Sequence, residues 1–132
     1  MKAIFLEGAH NTGKTTTCRL LFRNLITQGG ELQWFQKIND KDFGCLLQFG
    51  GRKITIASSG DMSSGVSDAF WKSERDRNDI HIGCCRPEHK HPRQIVEQFP
   101  GSHVILKSLA TDADNDRVLQ EVMILLSDDK NA

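Results

Sequence analysis

The chain has no net charge: Lys+Arg and Asp+Glu both number 17 in 132 residues. That balance excludes the broad cationic face of a nucleic-acid or membrane-surface binder. Long apolar runs are missing too. The most continuous stretches, such as 122–126, fall far short of the ~20 residues that cross a bilayer. The N-terminus also lacks the apolar segment and cleavage site of a secretory signal. A cytoplasmic location is therefore expected, with no membrane among the partners. No internal repeat or low-complexity linker breaks the chain, so a single domain over 1–132 is expected. Cysteine is scarce: Cys18, Cys45, Cys84 and Cys85 read as reduced thiols in that setting. The stretch His81-x-x-Cys84-Cys85-x-x-x-His89-x-His91 has zinc-ligand residue types but no Cys-x-x-Cys pair. Neighbours on a strand point to opposite faces, so a structural metal is not expected there.

What is present stands close to the N-terminus. Gly8-Ala9-His10-Asn11-Thr12-Gly13-Lys14-Thr15 is a complete G-x-x-x-x-G-K-[ST] pattern. An apolar run, Ala3-Ile4-Phe5-Leu6, leads into it, and an apolar-periodic stretch follows. That is the strand–loop–helix order the motif needs. Glycine at 8 and 13 lets the backbone wrap its N–H groups around a phosphate, which a side chain would block. The helix that follows adds unpaired N–H groups and the positive end of its dipole. Lys14 is placed to reach the β- and γ-phosphates, and the Thr15 hydroxyl to ligate Mg²⁺. Thr16 completes the stretch expected to touch the nucleotide.

Hydrophobic periodicity gives the rest of the order. The spacing predicts a helix over 14–28, stopped by Gly29-Gly30, and a strand over 32–37. A hairpin follows, with arms 44–49 and 53–57 around Gly50-Gly51. Then come a helix over 64–77, a strand over 80–85, a short helix over 92–99, a strand over 103–107 and a last helix from about Asp114. Alternating strands and helices predict an α/β fold, a three-layer α/β/α sandwich. Its sheet should be mostly parallel, with the hairpin arm 44–49 as an antiparallel edge strand. Trp34, Trp71 and the phenylalanines fit core positions, with Trp71 partly exposed. Right-handed crossovers should gather 8–15, 58–61, 85–93 and 107–111 along one rim, where ligands bind in such sheets.

That rim supplies the candidates for chemistry. A metal-positioning carboxylate is expected after a neighbouring strand, and Asp61, behind Ile54-Thr55-Ile56-Ala57, is the choice, with Ser58 or Ser59 helping to orient it. Asp42 is the best of the polar stretch 39–42 for a place near the γ-phosphate. Glu7 ends the first strand and either acts as a base, positions an acceptor, or bonds nearby backbone. Arg86 is the favoured cation for a transferring phosphoryl group, because a guanidinium binds phosphate oxygens bidentately; Arg93 is a weaker candidate. The predicted catalytic set is thus Lys14, Asp61 and Arg86, with Thr15 and Asp61 at the metal.

Ile4 through Thr16 resembles the start of P-loop nucleoside and nucleotide kinases, and thymidylate kinases share its apolar–Glu–Gly entry. The resemblance covers about the first thirty residues. It implies ATP and Mg²⁺ as cofactors, with Lys14 and Thr15 in the family roles. No Asp-Arg-aromatic acceptor motif follows, and a lid is confined to the loop 86–93. The hairpin running into Ser59-Gly60-Asp61 resembles the approach to the second switch of small GTPases. The Asp-x-x-Gly and Asn-Lys-x-Asp motifs of that family are absent from their places, which argues against guanine specificity. Mg²⁺-dependent hydrolysis of a nucleoside triphosphate or phosphoryl transfer to a small acceptor is the expected activity. The alternative is a non-catalytic nucleotide sensor or adaptor acting through a protein partner.

Overall fold

In the computed structural model, which describes residues 1–60 and 63–128, ten elements follow one another. They are β1 (Lys2–Glu7), α1 (Lys14–Thr27), β2 (Glu31–Lys37), β3 (Phe43–Phe49), β4 (Arg52–Ala57), α2 (Ser63–Arg75), β5 (Ile80–Cys85), α3 (His91–Gln98), β6 (His103–Leu106) and α4 (Asp112–Asp128). The six strands form one mixed sheet in the order β2-β3-β4-β5-β1-β6. β4, β5, β1 and β6 pair in parallel, while β3 runs antiparallel to both β2 and β4. The expected antiparallel arm is therefore present, but it is not the edge. β2 lies outside it. Periodicity along a strand says nothing of what pairs on its far side, which is why the sequence leaves this point open.

The central strands β1 and β5 are buried on both faces because helices cover both. Ile4 and Leu6 of β1 point into a core shared with Cys18, Leu21 and Leu25 of α1 and Val118, Val122 and Leu126 of α4. Ala3 and Phe5 point the other way, into a smaller core with Val66 and Phe70 of α2 and Ile95 of α3. The alternation of single residues on β1 thus splits the interior into two layers. Cys84 and Cys85 divide in the same manner. Cys84 joins the α1 side, its Sγ 3.4 Å from that of Cys18, and Cys85 joins the α3 side. Burial pushes the Cys85 thiol up to about 12, with the charge of Glu7 adding to it. His81, of the same stretch, is buried with Nδ1 2.7 Å from the Thr55 hydroxyl.

Trp34 and Phe35 depart from the expected core positions: they are 41% and 48% exposed on β2. None of the described helices is long and apolar enough to cross a membrane.

Candidate phosphate-binding site

β1 delivers Glu7 to the rim, and the chain turns at once into the loop 8–13. The Gly8 N–H donates to the Cys85 carbonyl (3.0 Å), and the Lys107 N–H donates to the Glu7 carbonyl (2.7 Å). The loop is thus rooted between the ends of β5 and β6. A Cβ on Gly8 would collide with the Lys107 carbonyl and lie 2.5 Å from Thr12 Oγ1. At Gly13 the backbone is left-handed (φ 85°), and a Cβ would lie 2.7 Å from Asn115 Oδ1. The first position demands glycine for space and the second for both conformation and space.

Gly13 is also the N-cap of α1, and no side chain caps the helix. Since the first turn of a helix has no i−4 acceptors, its N–H groups are left for a ligand, and the helix dipole favours an anion there. A cavity of about 490 Å³ opens at that point, lined by His10 through Thr16 together with Arg19, Lys41, Asp42, Ser58, Gly60 and Ala110.

Lys14 is buried, and its Nζ donates to the carbonyls of Gly8 (2.6 Å) and Cys85 (3.1 Å). The ammonium therefore lies folded into the loop on neutral acceptors, which a phosphate oxygen would outcompete as a charged one. The Thr15 hydroxyl donates to Asp42 Oδ1 at 3.1 Å, and Ser58 Oγ donates to the same oxygen at 3.1 Å. Ser58 in turn accepts the Phe43 N–H at 2.9 Å. Two strand ends and the helix start thereby converge on one carboxylate oxygen.

Asp42 is presented by a turn that Asn39 builds, its Oδ1 accepting the N–H groups of Lys41 and Asp42 at 2.8 Å each. Asp61, the carboxylate chosen from the sequence for the metal, lies outside the described residues. Among the described residues, the acid bonded to Thr15 is Asp42. Among the described residues no three His, Cys, Asp or Glu side chains form a metal cage. One carboxylate with two hydroxyls is instead the sparse oxygen set that suits Mg²⁺, which keeps several waters and takes further oxygens from phosphate.

Arg86 is held at the loop's flank, part-buried, with its Nη2 3.4 Å from His10 Nδ1 and its Nη1 4.0 Å from Glu88 Oε1. Arg93 pairs with the end of β1, its Nη2 donating to Glu7 Oε1 at 2.6 Å. Glu7 Oε2 is buried without a partner among the described residues.

Two residues behind the loop were not singled out from the sequence. The Lys107 side chain is fully buried, and its Nζ donates to the carbonyls of Thr12 (2.8 Å) and Leu109 and to Asp114 Oδ2 (2.6 Å). That ammonium holds the Asp114 carboxyl well below the usual carboxylate range, with the Leu109 N–H and Arg117 adding to the effect. Asn115 Oδ1 lies 3.3 Å from Thr17 Oγ1, whose hydroxyl also sits 2.8 Å from the Gly13 carbonyl. Together they pin the back of the loop to α4. The sequence signal was a lysine ending an apolar strand seven residues before an aspartate.

Comparison with protein-family models, curated proteins and solved structures returned no match.

Proposed function

We propose that the chain binds ATP with Mg²⁺ in the loop 8–15 and promotes attack on the γ-phosphorus. The observation that carries this is the meeting of Thr15, Ser58 and Asp42 at the mouth of a loop with two obligatory glycines and an uncapped helix start. The loop residues His10 to Gly13, the start of α1, Asp42 and Ser58 all line the same cavity, with the Lys14 ammonium folded behind them.

Thr15 and Asp42 would hold the metal, with Ser58 orienting the carboxylate. The bound ion supplies charge neutralisation between the phosphate oxygens. The protein's own part is positioning. The amides of the loop and of the first turn of α1 fix the β-phosphate, and Lys14 leaves the carbonyls of Gly8 and Cys85 to stabilise charge on the bridging and γ-oxygens. Arg86 at the loop's flank, with Arg19 and Lys41 of the cavity wall, offers cations for the charge that spreads as the terminal group departs.

Transfer to a small acceptor is favoured over hydrolysis by one feature. A second cavity, of about 230 Å³, shares Arg19, Lys41 and Asp42 with the first and is walled by Phe22, Phe35 and Phe43. A small acceptor with an apolar face and polar groups would fit there, since Arg23, Lys37, Asn39 and Asp40 also line the cavity.

The test is turnover of Mg²⁺-ATP by the wild type and by Asp42→Asn. The variant should lose at least about tenfold in kcat, a cost of ~1.4 kcal/mol, with the deficit reduced at high Mg²⁺. Equal activity in the two proteins would remove Asp42 from the site.

A further inference from the structure

On the side of the sheet that Ala3 and Phe5 face, α2 and α3 leave a groove of about 360 Å³ between them. It shares no lining residue with the cavity at the loop 8–13. Helical spacing builds it. Ser67 and Trp71 stand one turn apart on α2, and His91, Gln94 and Gln98 succeed one another by turns on α3.

The groove contains an unanswered polar group. Ser67 is only 8% exposed, and its hydroxyl has no partner among the described residues. A serine inside a helix can return its hydroxyl to the carbonyl four residues back, and a buried one left alone is costly. Trp71 forms a wall. Edge-to-face contacts with Phe70 (5.0 Å, 77°) and Phe99 (5.8 Å, 64°) fix the indole, while 39% of the residue stays exposed. The other walls are polar. Asp68 accepts, and the amides of Gln94 and Gln98 both donate and accept. Neither Lys nor Arg lines the groove, so it offers no fixed cation to a phosphate or carboxylate.

We propose that this groove binds a neutral polyhydroxylated ring of monosaccharide size. Such a ring has a C–H face to lay on the indole and a rim of hydroxyls that each donate and accept. The Ser67 hydroxyl and the two amides answer groups of both kinds, and vicinal hydroxyls can donate to the two oxygens of Asp68. The volume lies in the range of small-ligand sites. A nucleobase would also stack on Trp71, but its polar groups lie in one plane and would leave part of this rim unanswered. The proposal does not depend on what the loop 8–15 binds.

The experiment is a fluorescence titration of the full-length chain carrying Trp34→Phe, which leaves Trp71 as its single tryptophan. The probes are D-glucose, D-galactose, D-mannose and myo-inositol, with adenosine as the competing ligand. At least one of the four should give a saturable change in emission, with a dissociation constant in the millimolar range or below. Asp68→Ala should raise that constant about tenfold, and Ser67→Ala about threefold. Ser67→Ala should also leave Tm unchanged or higher, because the hydroxyl it removes has no partner within the fold. A lower Tm in that variant would overturn the proposal. So would a flat response to all four probes, a response to adenosine alone, or binding indifferent to both substitutions.

Discussion

Lys107→Met removes an ammonium that is fully buried behind the loop 8–13, and the loss can be sized from its partners. The Nζ donates to Asp114 Oδ2 at 2.6 Å and to the Thr12 carbonyl at 2.8 Å. Breaking one side of a buried ion pair costs about 3–5 kcal/mol, because the other charge is left behind. Asp114 keeps the N–H groups of Ser108 (3.2 Å) and Leu109 (3.1 Å) and the Arg117 guanidinium (3.0 Å). That places the cost at the low end, about 3 kcal/mol. For a chain of this size such a loss lowers Tm by roughly 10 °C. The freed Thr12 carbonyl should also loosen the loop, so Mg²⁺-ATP affinity should fall by more than the stability change alone implies. Urea denaturation, with and without Asp114→Asn in a double-mutant cycle, measures the pair. A destabilisation under about 1 kcal/mol with unchanged nucleotide affinity would refute the role assigned to Lys107.

Two further outcomes are expected. Gly8→Ala should cost about 1–3 kcal/mol of stability through the collision with the Lys107 carbonyl, and should abolish detectable Mg²⁺-ATP binding by calorimetry; retained affinity would mean the loop has room the geometry denies. His81 is fully buried, and burial lowers its pKa from 6.5 to about 4. Below about 6.5 the unfolded chain takes up a proton that the folded one refuses, so stability should fall as pH drops from 6.5 to 4, by about 3 kcal/mol in all. Asp114, whose carboxyl is held below the usual range, contributes its loss only at lower pH. His81→Leu should flatten this slope in denaturation curves taken from pH 7 to 4, and an unchanged slope would assign it to other groups.

The strand–loop–helix turn at 8–15 was legible because its signal is local: spacing alone puts two glycines, a lysine and a threonine there. The order of elements was legible from periodicity, and the rim followed from right-handed crossovers. Asp42 could be named from the sequence, but its contact with Thr15 could not. Its place depends on the turn built by Asn39 and on the pairing of β3 with β4, which brings Ser58 to the same oxygen. Lys107 and Asn115 act through backbone carbonyls and a packed helix, contacts that residue types do not announce. Trp34 and Phe35 looked like core residues because an apolar run is written alike whether or not anything covers it.

Calorimetric titration of Mg²⁺-ATP into the wild type and into Lys14→Ala tests nucleotide binding most directly. Saturable, one-site heat is expected for the wild type, weakened by EDTA and lost in the variant while its circular dichroism spectrum and Tm stay close to those of the parent. Absence of heat in the wild type, or equal heat in both proteins, would contradict a phosphate site at the loop between β1 and α1.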